Sequence, residues 1–219
     1  MNEANVYAVI TGDVVDSTKT ERNYRSILES ITNDIQQHHD PTFRLEMYRG
    51  DSFQALIQNP REGLFILLLI KAGLRRHTNK QDSRSIETVL DARMSLGIGN
   101  VTGNGKVSLG ELDGQAFVRS GRTLEKMKGE GLRLSITTGN TVLDNEFRAT
   151  CPLIDALANR WNTKQAEAIY HYFLTSITQE ELGEKLNISQ RGAGKRLETS
   201  NIGPIELYNK RFSELIDGY

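Results

Sequence analysis

Two short acidic turns hold the side chains of this chain best suited to chemistry. Gly12-Asp13-Val14-Val15-Asp16-Ser17-Thr18 follows the apolar run Val6 to Ile10, and Arg49-Gly50-Asp51-Ser52 separates two alternating apolar segments. A carboxylate just past a buried strand, facing another on a hairpin tip, makes a small oxygen-lined site for Mg²⁺ and phosphate. Asp13, Asp51 and the backbone carbonyl of Val14 are the expected metal ligands, with Asp16 as a further candidate; Gly12, Gly50 and Ser52 would surround the bound ligand. The metal would neutralise a triphosphate and activate an attacking hydroxyl. The same residues also have a plain structural use. Asp13 and Asp16 suit a turn or a helix cap, and Gly50-Asp51 is a turn dipeptide in its own right.

The elements that must hold these turns are written in the hydrophobic pattern. Val6 to Ile10 is a continuous, largely β-branched run, as in a central strand covered on both faces. Tyr24, Ile27, Leu28, Ile31 and Ile35 recur at three- and four-residue spacing, giving an amphipathic helix over Glu21 to about Gln37 that Asp40-Pro41 closes. Phe43, Leu45, Met47 and then Phe53, Ala55, Ile57 alternate on either side of Gly50-Asp51, which is a hairpin. Asn59-Pro60 opens an apolar helix through Leu74, with Arg75-Arg76-His77 adding favourable charge at its end. Ala92 to Gly99 is a strand; Gly103-Asn104-Gly105 is a turn before Val107 to Leu109; Gln115 to about Lys128 is a helix; and Leu132, Leu134 and Ile136 form a last strand. This order implies an α+β fold, a mixed ferredoxin-like sheet with helices packed on one face.

Composition excludes several classes. With 219 residues, 37% hydrophobic and 25% charged, the chain can bury a full core plus a smaller appendage. Its net charge of -1 gives no chain-wide attraction to nucleic acid, so any DNA contact must be local. The single Cys151 allows neither an internal disulfide nor a structural zinc set. Leu64 to Ile70, the longest apolar run, is far short of the roughly 20 residues of a membrane span. A cytoplasmic protein without membrane contact is expected. The four dispersed histidines form no constellation, and no Gly-Lys-Ser/Thr phosphate loop occurs.

The two acidic turns resemble those of class III nucleotidyl cyclase catalytic domains, whose first strand ends in an Asp-hydrophobic turn and whose hairpin carries Gly-Asp. Asp13 and Asp51 match that family's two metal ligands. Arg93 to Gly99 is similar to its strand of arginine, hydrophobic, glycine, isoleucine and glycine, and Gly114 to Arg122 to its loop and helix bearing the transition-state arginine. The resemblance thus makes Arg122 a catalytic candidate, with Ser120 and Gly121 beside it as ligand-binding positions. Val118 stands where cyclases carry a transition-state asparagine, and Met47 where they carry a base-reading lysine. Overall the first 137 residues resemble the SatD family most, through Ile10 to Ser17, Arg49 to Gln54 and Ser120-Gly121-Arg122.

Past about residue 139 helical periodicity replaces strand alternation. Residues 1–140 read as the nucleotide- and metal-binding domain, 141–162 as a connecting helix carrying Leu153, Leu157 and Trp161, and 163–219 as a helix-turn-helix domain. There Thr163 caps one helix, Thr178 to Leu186 forms a second, Asn187 makes the turn, and Ser189 caps a third through Leu197. The arrangement resembles the DNA-binding motif of sigma-factor-type regulators, which would set Ser189, Gln190, Arg191, Lys195 and Arg196 against DNA. One such module makes few phosphate contacts, so a homodimer is expected, with the helix after Gly203-Pro204 either as its interface or as a cover for the core. The leading expectation is a DNA-binding regulator whose cyclase-like domain senses a nucleotide or phosphate ligand. A Mg²⁺-dependent nucleotidyl cyclase or nucleotidyltransferase acting on NTP is the alternative, and a protein-interaction adaptor the third.

Overall fold

The computed structural model describes residues 6–15, 24–48, 50–79, 88–103 and 107–219. Asp16, Ser17, Thr18 and Arg49 lie outside them, so the expectations placed on Asp16 and Arg49 do too. Strand β1 (Val6–Val14) leads to helix α1 (Tyr24–His38), the hairpin β2 (Arg44–Met47) and β3 (Ser52–Ile57), and helix α2 (Gly63–Arg75). A small ribbon, β4 (Thr78–Asn79) with β5 (Thr88–Val89), precedes strand β6 (Ala92–Asn100), helix α3 (Gln115–Glu130) and strand β7 (Leu134–Thr137). Among the described residues the main sheet has the order β2-β3-β1-β6-β7. All its pairings are antiparallel except β6 with β7. The fold is therefore α+β with a mixed sheet, and its β1-α1-β2-β3-α2-β6 portion follows the split βαβ order of ferredoxin-like folds.

Side-chain alternation assigns the two faces. Ala8, Ile10 and Val14 of β1 join Phe53, Ala55 and Ile57 of β3 in a core shared with α1 and α2. The odd positions of β1 turn the other way, where Val9 and Leu56 meet Ala116 of α3. The expectation of helices on one face is thereby corrected: α1 and α2 cover one face and α3 the other. A helical stripe records that a face is buried but not which side of a sheet buries it. Close packing marks the α3 seam. A Cβ added to Gly97 would stand 2.3 Å from the Ala116 carbonyl oxygen and 2.5 Å from the Ser120 nitrogen.

Five helices complete the chain: α4 (Thr141–Ala158), α5 (Thr163–Thr175), α6 (Gln179–Lys185), α7 (Gln190–Thr199) and α8 (Ile202–Asp217). Their apolar stripes join the α1-α2 core, so Phe147, Trp161, Tyr170, Leu182 and Phe212 share one cluster with Ile10 and Leu67. Two local expectations are corrected. Trp161 follows α4 rather than lying in it, and is buried with its indole donating to the Ser200 carbonyl at 3.0 Å. Asn162, not Thr163, caps α5, accepting from the Gln165 amide at 3.0 Å. Of α8, Ile205, Phe212 and Ile216 cover the core while Leu207 is exposed. Among the described residues no helix is long and apolar enough to cross a membrane.

A buried ionic knot fastens the helical half to the sheet. Lys71 donates to Asp91 at 3.0 Å, Arg75 pairs with the other oxygen of the same carboxylate, and Arg133 donates to that oxygen at 2.7 Å. Arg75 also donates to the carbonyls of Trp161 and Asn159, both at 2.7 Å. Arg75 and Arg76 are therefore tertiary ties rather than a solvated charge at the end of α2, for Arg76 lies 3.9 Å over the Tyr170 ring. Burial opposes charge on Asp91, but Lys71, Arg75 and Arg133 together hold its pKa below the usual carboxylate range.

Candidate functional site

Asp13 and Asp51 meet at one end of the sheet because β1 and β3 are antiparallel neighbours. Asp13 pairs with Ser52 in the register, and the Val14 amide donates to the Asp51 carbonyl at 3.1 Å. The hairpin tip is pinned from α1. Tyr24 donates to the Gly50 carbonyl at 3.2 Å and Arg25 to the same oxygen at 2.9 Å. Gly50 takes φ of 76°, a left-handed conformation that favours glycine, so this turn has a backbone reason for its glycine. On the far side of β1, Asp13 pairs with Arg93 in register, and Arg93 donates to its carboxylate at 3.1 and 3.4 Å.

The electrostatics of Asp13 follow from this placing. Its pKa is raised, first by burial, against the lowering effect of Arg93 and Lys128; the charges of Asp51 and Glu125 raise it further. Asp51 is thus close enough for its carboxylate to act on Asp13. Glu125 and Lys128, themselves paired at 2.8 Å, extend the site onto α3. Arg93 keeps a buried Nε donor without a hydrogen-bond partner. Two hard carboxylates flanked by cationic donors fit a small divalent ion carrying phosphate, since Mg²⁺ takes few protein oxygens and completes its shell with water and substrate. Among the described residues no three His, Cys, Asp or Glu side chains gather as a fuller metal site.

The other expected positions separate. Ser52 is the cross-strand neighbour of Asp13. Gly12 turns to the opposite face, where an added Cβ would meet the Phe53 ring at 2.4 Å. Ser120 is buried in the α3 seam, its hydroxyl 2.7 Å from that of Thr11. Gly121 borders open space, and Arg122 is exposed on α3. Val118 is exposed as well. Arg93, Glu125 and Lys128 were absent from the expected site, though Gly121, Glu125 and Lys128 recur at i, i+4 and i+7 and so share one side of a helix.

In the C-terminal helices, Gly183 packs so closely on the turn that an added Cβ would lie 2.9 Å from the Ile188 carbonyl oxygen. Asn187 turns at φ of 52°, and Ser189 caps α7 by accepting from the Gly192 amide at 3.1 Å. Gln190 and Arg191 are exposed at its start. Lys195 pairs with Glu198 at 3.1 Å and Arg196 with Glu167 at 3.4 Å, so both cations carry partners of their own.

A family model for the SatD family matches residues 7–215. The chain belongs to the SatD family. No curated protein matches at a significant level. Among solved structures, this SatD-family chain is similar to the active GGEEF domain of a diguanylate cyclase from Vibrio cholerae, at 12% identity and a TM-score of 0.41 over 61% of this chain and 83% of that one. It is also similar to the GGDEF domain of DgcB from Caulobacter crescentus in complex with c-di-GMP, at 11% identity and a TM-score of 0.42 over 61% and 77%. A bacterial light-regulated adenylyl cyclase matches at 12% identity and a TM-score of 0.38, over 60% and 75%. At such identities nothing about activity passes from those proteins to this chain.

Proposed function

We propose that the sheet end bearing Asp13 and Asp51 binds a nucleoside triphosphate with Mg²⁺ and acts on it as a metal-dependent nucleotidyl enzyme. The observation that carries this reading is the convergence of the Asp13 carboxylate, near the end of β1, with that of Asp51, on the adjoining hairpin turn, beside Arg93 and Lys128. A bound Mg²⁺ would screen phosphate charge and polarise the phosphorus under attack. The carboxylates of Asp13 and Asp51 would hold the cation, with the Val14 carbonyl as a further oxygen. Arg93, with an unpartnered Nε donor beside Asp13, is poised to bind a phosphate oxygen. Arg122 is exposed on α3, and the apolar Val118 supplies no hydrogen bond to a transition state.

The test is incubation of purified protein with each of the four NTPs and Mg²⁺ or Mn²⁺, resolving products by chromatography. A nucleotide product absent with Asp51→Asn supports the proposal; intact NTPs in every reaction count against turnover.

A second reading, a DNA-binding regulator governed by the nucleotide site, is favoured by the capped, glycine-packed α6-α7 pair and by exposed Gln190 and Arg191. In it Ser189, Gln190, Arg191, Lys195 and Arg196 face DNA, and two copies of the chain read two half-sites from the cytoplasm. A salt-sensitive gel shift on DNA upstream of the protein's own gene, lost in Arg191→Ala, separates it from an adaptor role.

A further inference from the structure

A cavity of about 500 Å³ lies far from the acidic turns, where α2, α5, α6 and α8 meet. Its volume falls within the range of small-molecule sites, about 300–1,000 Å³. Aromatic rings form one wall: Phe65 and Phe173 stand with centroids 5.2 Å apart, and Tyr172 and Phe173 6.2 Å apart. The opposite wall, from α8, offers acceptors. Asn209 has a buried Oδ1 without a hydrogen-bond partner, and the Glu206 carboxylate hydrogen-bonds the Tyr172 hydroxyl while its residue remains exposed. Ser176, at φ of 49°, bends the chain around the rim in a conformation that Gly or Asn adopts more readily.

We infer that this cavity is a second ligand site, for a planar nitrogen heterocycle bearing N–H donors, of nucleobase or nucleoside size. Ring faces favour a flat π-system, and a buried unpaired acceptor favours a ligand that donates to it. An aliphatic ligand would leave the Asn209 oxygen unsatisfied, and because Glu206 and Lys210 put one charge of each sign on the lining, the ligand needs no net charge of its own. Gln179 links the cavity to α7: it lines the wall and lies across Gly194, where an added Cβ would come 2.6 Å from its Oε1. Among the described residues, Gln179 is thus the one side chain shared by the cavity lining and the Gly194 contact on α7. The inference stands apart from the acidic site, because the ligand needs neither phosphate nor metal.

The test is calorimetric titration of the full chain with adenine, guanine, adenosine and guanosine in EDTA. One-to-one saturable binding of at least one probe is expected. It should weaken about tenfold or more in Asn209→Leu, weaken severalfold in Glu206→Gln, and persist in Asp13→Asn, with circular dichroism confirming that each variant is folded. Should Asn209→Leu not fold, the exposed Glu206→Gln decides alone. Absence of binding by all four probes at millimolar concentration, or binding indifferent to the folded variants, overturns the inference.

Discussion

Asp13 holds its charge in a place that resists it. Burial raises its pKa, and Arg93 and Lys128 oppose that rise without cancelling it. The native carboxyl therefore keeps a proton to higher pH than the same group in the unfolded chain. Without metal, the stability this proton provides is present below the ordinary value of 3.8 and is lost as pH rises through the raised one. A cation competes with that proton, so Mg²⁺ affinity should fall on acidification, beginning at a higher pH than an unperturbed aspartate would set, and titration calorimetry at stepped pH would record it. Replacing Arg93 with Ala should raise the onset further, because the nearest compensating cation is gone. The two acids were readable from sequence, since both follow apolar runs and one sits in a Gly-Asp turn. Arg93 was not readable as their neighbour: its position is a register fact, fixed by which strands pair, and no local pattern encodes it.

The elements owe their arrangement to close approaches as much as to amphipathicity. Helix α3 lies on β6 over a bare Gly97, and Ser120 is small because the helix needs room there. Gly121, next to it, borders open space. Gly97→Ala should therefore cost about 1–3 kcal/mol or more, its methyl meeting the backbone of Ala116 and Ser120 first. Gly121→Ala should instead leave stability unchanged or raise it by up to about 1 kcal/mol, the helix preference of alanine over glycine. Urea denaturation of both variants checks the contrast. Strands and helices were legible because alternation and the 3.6-residue stripe leave direct marks on sequence. The face chosen by α3 left none, and the paired small residues Gly97 and Ser120, distant in sequence, become legible only once β6 and α3 are known to touch.

Across the whole molecule, one apolar core runs from the sheet through α5 to α8, and the Lys71-Arg75-Asp91-Arg133 knot crosses the same junction. The knot also reaches the acidic site, since the Asp91 carbonyl accepts from the Val15 amide at 2.9 Å, two residues beyond Asp13. Asp91→Ala would strand Lys71 and Arg75 as uncompensated buried cations. A loss of about 3–5 kcal/mol is expected, seen as one cooperative calorimetric transition moved to lower temperature. The knot leaves no mark in the sequence, because an apolar helix ending in basic residues is the ordinary signature of a favourably charged terminus, and the partner acid lies beyond a ribbon and a change of direction.

Whether the two acidic turns bind nucleotide and metal together is decided by the thermal stability of the wild-type chain, Asp13→Asn and Asp51→Asn with each NTP, with and without Mg²⁺. Stabilisation is expected only with nucleotide and metal together and is lost in both variants; ligand at a hundredfold its dissociation constant would contribute about 2.7 kcal/mol. Stabilisation that ignores the metal, or survives intact when either aspartate becomes asparagine, would contradict that expectation.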